Sequence, residues 1–125
     1  MSYGNMHEHY KEQAVNTMTS GELLVLLYDE VIKRLGRARL FLENNDTDGF
    51  ETDVNRARDI IQYFQQSLDY NFDISINLRK LYDFMLYELS RAQASRSVQP
   101  LDDIIPLLNE LRDTWKEADR LSRTK

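Results

Sequence analysis

The stretch that decides the fold runs Phe50-Glu51-Thr52-Asp53-Val54-Asn55-Arg56-Ala57-Arg58-Asp59-Ile60-Ile61-Gln62-Tyr63-Phe64-Gln65-Gln66-Ser67-Leu68. Its apolar residues Phe50, Val54, Ala57, Ile61, Phe64 and Leu68 step by four, three, four, three and four. That spacing holds one stripe on one side of an α-helix, whereas a half-buried strand would alternate by two. A helix with one apolar stripe must bury it against something else.

Outward from it, three more segments repeat the pattern. Leu24, Tyr28, Val31, Leu35, Ala38 and Leu42 precede it; Leu78, Leu81, Met85, Leu89 and Ala92 follow, then Leu101, Ile104, Leu108, Leu111, Trp115 and Ala118. Polar breaks at Asn44 to Asp48, Asp69 to Asp73 and Ser95 to Gln99 separate them. Short connections force neighbouring helices to run in opposite directions. The expected fold is all-α: an antiparallel up-and-down four-helix bundle over residues 19–125, with a short helical N-terminal arm over 1–18 that carries Tyr3, Met6, Tyr10 and Ala14 or Val15 at helical spacing.

The helix ends carry their own chemistry. Thr19 or Ser20, with Glu22, can cap the first helix; the last residues of Asn44 to Asp48 can cap the second, and Asp73 or Ser75 the third. Pro106 would cost about 3 kcal/mol inside a helix. The last helix is therefore expected to start near Asp103, with Asp102 or Asp103 as cap and Pro106 in its first turn. Gly36, mid-helix, is expected to mark a close approach of another helix.

Composition narrows the chemistry. Leu, Ile, Val and Phe make 34 of 125 residues, enough for a packed core, and only 4 Gly and 2 Pro argue against a turn-rich β fold. The chain has no Cys, which removes disulfides, thiolate metal sites and thiol nucleophiles. Its net charge of −5 has the wrong sign for a nucleic-acid binder. The longest apolar run, Leu23 to Tyr28, is far short of the ~20 residues a membrane crossing needs. With no basic, apolar leader at its start, the chain reads as a soluble cytoplasmic domain with no membrane insertion.

Catalysis finds little support. Bundle di-iron sites need Glu-x-x-His pairs on the helices, and both histidines, His7 and His9, precede the bundle. The same placement removes a phosphotransfer histidine and a Ser-His-acid arrangement. Met85 is the one candidate haem ligand and reads as core filler. Lys33, Arg34, Arg37 and Arg39 form a basic patch that reads as a solvated face complementing the helix dipole. No enzyme activity, metal or cofactor is expected.

What remains is apolar surface. Leu23 to Tyr28 is apolar almost all round, Ile60 and Tyr63 flank the second stripe, and Ile74, Ile76, Tyr82, Phe84 and Leu86 flank the third. A bundle helix needs about three apolar positions per heptad, so these are surplus. A wider core and an open groove for a partner's amphipathic helix account for them equally well.

The order of motifs carries a resemblance. Tyr10-Lys11-x-x-x-Val15-x-Thr17 is followed by Thr19-Ser20-x-Glu22-Leu23 and Leu27-Tyr28-Asp29; then come Ala57-x-x-Ile60-Ile61, Leu68-Asp69, Ile76-Asn77-Leu78-x-x-Leu81-Tyr82-Asp83 and Leu111-x-x-x-Trp115-x-x-Ala118. Over about residues 10 to 121 the chain resembles the FliS family of flagellar export chaperones. Gly21, where that family usually has proline, and Glu30 after Leu-Tyr-Asp, where a glycine is common, depart from the pattern; so does Asp73-Ile74-Ser75 at the entry to the third helix.

The resemblance implies a non-catalytic cytoplasmic chaperone that binds the disordered C-terminal segment of flagellin in an apolar groove and prevents its premature polymerisation. It further implies delivery to a component of the flagellar type III export gate, and an N-terminal arm that lies over part of the groove. The motif matches and the apolar surplus together nominate Tyr10, Val15, Leu23, Leu27, Tyr28, Ile60, Ile76, Asn77, Leu78 and Tyr82 as partner-binding residues. The competing expectation is a helical regulatory adaptor for another export component or an anti-sigma factor. A weak homodimer completes the expected partners.

Overall fold

The computed structural model describes residues 20–123. Four helices account for nearly all of them: α1 (Ser20–Glu43), α2 (Thr47–Gln66), α3 (Ile74–Ser95) and α4 (Gln99–Arg123). α1 packs against α2 and α4, and α3 against the same two, so the helices sit in chain order around one core. This is an antiparallel four-helix bundle. The expected arm, residues 1–18 with Tyr10 and Val15, lies outside the described residues.

The stripes read from the sequence are the core. Tyr28, Val31, Leu35 and Ala38 of α1 meet Phe50, Val54, Ala57, Ile61 and Phe64 of α2, with Met85, Leu89 and Ala92 of α3 and Leu101, Ile104 and Leu108 of α4. Each large side chain so buried contributes roughly 1.5–3 kcal/mol. The stripes are not sealed along their whole length. Leu24, Leu42, Leu68, Leu81, Leu111 and Trp115 are only half-buried, and Ala118 is exposed. Leu24, Leu68 and Trp115 belong to the start of α1, the end of α2 and the later part of α4, which antiparallel packing gathers at one end. At the other end Phe50, Leu89, Leu101 and Ile104 are fully buried and Leu42 is half-buried, so the bundle is tighter there and looser here.

The last helix starts earlier than the sequence suggests. α4 begins at Gln99, and Pro106 sits inside it. Pro100 takes the first-turn position that suits proline. The earlier start buries Leu101 and Ile104 completely, which offsets the hydrogen bond lost at Pro106, itself on the exposed side. Asp102 and Asp103 do not cap. Asp102 accepts from Arg39 of α1 at 2.9 Å, and Asp103 from Gln99 at 2.9 Å.

Other local expectations change in the same physical way. Asp46, earlier in its turn than expected, caps α2 by accepting from the Gly49 amide at 2.9 Å. Asp73 occupies the α3 cap position without a side-chain cap bond, and the Ser75 hydroxyl donates back to the Asp69 carbonyl at 2.6 Å. Among the described residues Gly36 marks no close approach, since a Cβ there would meet none of them within 4 Å. The tight glycines are Gly49, whose Cβ would lie 2.7 Å from the Phe41 ring, and Gly21, whose Cβ would strike the Asp119 carboxylate.

The basic patch on α1 is not a free solvated face, nor does it occupy the helix's last turn. Arg34 donates to the buried Asp53 of α2 at 3.0 Å and to Glu30 at 2.8 Å, Arg37 approaches Asp53 at 3.5 Å, and Arg39 pairs with Glu43 and Asp102. Its arginines tie α1 to α2 through the buried Asp53 carboxylate and to α4 through Asp102, while the guanidiniums stay partly exposed.

Candidate functional site

The loose end of the bundle holds a cavity of about 400 Å³. Its walls come from all four helices. Leu23, Leu24 and Leu27 project from the first turns of α1, Tyr63 and Phe64 from the end of α2, Leu78 and Tyr82 from α3, and Trp115 from α4. Phe72 and Ile74 stand at the α2–α3 connection and remain more than half exposed, at 63% and 55%. Local sequence explains the shape. Six consecutive apolar residues cannot all face one core: Tyr28 turns inward, Leu23 and Leu27, one turn apart, line the cavity, and Leu26 faces solvent.

The connection over 67–73 is held by its own hydrogen bonds. Asp69 accepts from the Asn71 amide through its carboxylate at 3.0 Å, and its carbonyl takes the Phe72 amide at 3.1 Å and the Ser75 hydroxyl. This side-chain turn sets Phe72 at the mouth of the cavity.

Beneath the cavity lies an aromatic floor. Tyr28 stacks on Phe64 with ring centroids 4.4 Å apart, Phe64 leans on Tyr82 at 5.6 Å, and the hydroxyls of Tyr28 and Tyr82 share a hydrogen bond of 2.5 Å. Burial pushes both phenols above their ordinary pKa, and the proximity of Tyr28 raises Tyr82 further. Both therefore stay protonated at neutral pH. The Trp115 indole N–H is buried beside the Tyr28 hydroxyl. Polar groups on the lining are few: Ser20, Ser67, Ser75 and Asp69. Such a surface offers burial to apolar side chains rather than acid–base chemistry. Among the described residues no group of three or more His, Asp or Glu is placed to hold a metal ion, and no helix is long and apolar enough to cross a membrane.

Of the residues nominated from the sequence, Leu23, Leu27, Leu78 and Tyr82 meet at this cavity. Tyr28 is not a surface residue: it is fully buried and supports the floor from below. Tyr82 is 3% exposed and reaches the cavity only as part of that floor. Ile60 is half-buried against the core, away from the cavity. Ile76 and Asn77 are exposed on α3 outside the cavity. Tyr10 and Val15 fall outside the described residues. Sequence reading counted Tyr63 and Ile74 as apolar surplus without nominating them, missed Phe72, and placed Leu24, Phe64 and Trp115 in the core alone. The available signal was positional, since antiparallel order brings the ends of these stripes to one end of the bundle.

The comparison with known families decides the identity. A sequence model described as "Flagellar protein FliS" matches residues 3–122. The chain belongs to the FliS family. It is 29% identical over 123 residues to the flagellar secretion chaperone FliS of Bacillus subtilis (strain 168), covering 98% of this chain and 92% of that one. It is 30% identical over 110 residues to the flagellar secretion chaperone FliS of Escherichia coli (strain K12), covering 86% and 81%. With the protein of that name from Salmonella typhimurium it shares 31% over 109 residues, covering 85% and 81%. In this FliS family member the motif residues Leu23, Leu27, Leu78 and Tyr82 form one wall system around the end cavity.

Proposed function

We propose that this FliS family member is a cytoplasmic flagellar export chaperone that holds the C-terminal segment of flagellin. The observation that carries the reading is the apolar cavity, open at the looser end of the bundle. Its size falls within the ~300–1,000 Å³ of ordinary ligand pockets. The names of the relatives, all flagellar secretion chaperones, support it.

The division of labour is physical. The core over Val31 to Ala38 and its partners keeps the scaffold folded with or without cargo. The cavity takes apolar side chains of a segment that is unstructured before assembly, and that burial keeps them from meeting other flagellin subunits. Ordering such a segment opposes binding by ~2–5 kcal/mol or more, so a contact longer than the cavity alone is required. Release follows at the export gate, where the chaperone hands the segment on.

Calorimetric titration with a C-terminal flagellin fragment tests this. One-to-one binding with a negative heat-capacity change is the expected result. No heat at any of several temperatures, together with no change in sedimentation, would contradict the reading.

A further inference from the structure

We infer that the end cavity selects for a neutral hydrogen-bond acceptor at its floor, so that the segment held there, on the cargo reading above, brings an uncharged oxygen to Tyr82 as well as apolar side chains. The donors of the floor outnumber the acceptors they can reach. Tyr28 and Tyr82 share a single hydrogen bond between their hydroxyls, and the Trp115 indole N–H is buried beside the Tyr28 oxygen. A bond between two hydroxyls uses one hydrogen and leaves the other, and an indole nitrogen accepts nothing. The lining hydroxyls of Ser67 and Ser75 are turned to the carbonyls of Tyr63 and Asp69. Among the described residues one phenolic O–H is therefore left over.

Burial decides which one. If Tyr82 donates to Tyr28, the spare hydrogen belongs to Tyr28, which is wholly buried; if Tyr28 donates, it belongs to Tyr82, which lines the cavity. A buried donor without an acceptor is costly, so the second arrangement is favoured and the spare hydrogen faces the cavity. The Trp115 N–H then has a lone pair of Tyr28 to itself, and the contacts of Phe64 with both phenol rings hold the donor in place.

The chemistry of the occupant follows. Water can meet this hydrogen while the cavity is open. An apolar side chain pressed onto the floor displaces the water and leaves the O–H unpaired, whereas an oxygen acceptor replaces the lost bond. The acceptor is neutral, because no Lys, Arg or His lines the cavity and its one acidic group is Asp69. A carboxylate would be buried there with no counter-charge. A hydroxyl or carboxamide side chain, or a backbone carbonyl outside secondary structure, supplies the right group.

The test uses the full chain and two small probes of one shape: acetophenone, whose carbonyl is a neutral acceptor, and α-methylstyrene, in which a methylene group replaces that oxygen. Both are titrated against the indole N–H resonance of Trp115. The ratio of their affinities is compared between the parent and Tyr82→Phe, so that their unequal hydration cancels. The ratio should fall about tenfold in the variant, through weaker acetophenone binding. Ser20→Ala, on the same lining, should leave it unchanged. A ratio that Tyr82→Phe does not alter, or no binding of either probe to the parent, overturns the proposal. Should Tyr82→Phe melt early, the carbonyl stretch of acetophenone bound to the parent decides: a frequency lowered as by a hydroxyl donor upholds the proposal, and a hydrocarbon-like frequency overturns it. A C-terminal flagellin fragment should also bind Tyr82→Phe about tenfold more weakly than the parent; equal or tighter binding overturns the proposal. Changing each Ser, Thr, Asn and Gln of the fragment to Ala then finds the source of the acceptor. One position that costs about tenfold on the parent and nothing on Tyr82→Phe upholds a side-chain oxygen; a flat scan beside that weaker binding upholds a backbone carbonyl. A fragment that does not bind contradicts the cargo reading alone, because the probes still report the floor.

Discussion

The hydroxyls of Tyr28 on α1 and Tyr82 on α3 meet at 2.5 Å beneath the end cavity, in a site where both rings are almost wholly buried. This hydrogen bond joins two helices that lie across the bundle from each other, and Phe64 of α2 contacts both rings. The floor of the cavity is thus fixed by one polar bond inside an aromatic cluster.

Removing one member should cost more than removing both. Tyr82→Phe leaves the Tyr28 hydroxyl buried without its partner, an effect of about 1–3 kcal/mol. The double change Tyr28→Phe with Tyr82→Phe removes both polar groups and should recover most of that loss. Urea unfolding of the four proteins of the cycle checks it. Both phenols have folded-state pKa values raised above the ordinary tyrosine value, first by burial. Their contribution is therefore present below about pH 10 and lost as pH climbs beyond it. The double Phe variant should withstand alkali better than the parent.

Gly36→Ala should stabilise the protein by about 1 kcal/mol, because the added methyl meets none of the described residues and the helix loses its most flexible residue. Thermal unfolding reads it directly. A lower melting temperature would show that a neighbour does approach Gly36.

Gly21→Ala should behave in the opposite way. Its Cβ would collide with the Asp119 carboxylate, which is held by Arg123 at 3.1 Å. A loss of about 1–2 kcal/mol is expected. Asp119→Ala should relieve much of it in the double variant, a coupling that a double-mutant cycle measures.

Pro106→Ala should raise stability by about 2 kcal/mol. The substitution restores an amide inside α4 at an exposed position, with little change to the core. Denaturant midpoints check it. No gain would mean that the proline's restriction of the unfolded chain offsets the missing bond.

The helix count, the order and the core were legible because each stripe keeps strict helical spacing over five or six positions. Periodicity reports which residues face inward but not where packing stops. Leu24, Leu68 and Trp115 continue the same stripes as Leu35, Ile61 and Leu108, yet they stand half-buried around a cavity. Only the convergence of four helix ends separates the two groups. Pro106 misled for a related reason. A local penalty of about 3 kcal/mol looked decisive, while the burial of Leu101 and Ile104, which offsets it, depends on residues distant in the chain. Tyr28 shows the limit of motifs, since a matched residue can act by supporting a wall rather than by forming one.

The most direct measurement of the central claim follows Trp115, the only tryptophan of the chain and part of the cavity wall, while a tryptophan-free C-terminal flagellin fragment is titrated in. Cargo seated in the cavity should shift and saturate the Trp115 emission at one equivalent, and Leu27→Asp should abolish both the shift and the binding. Tight binding that leaves the emission untouched and survives Leu27→Asp would place the cargo elsewhere and contradict the account.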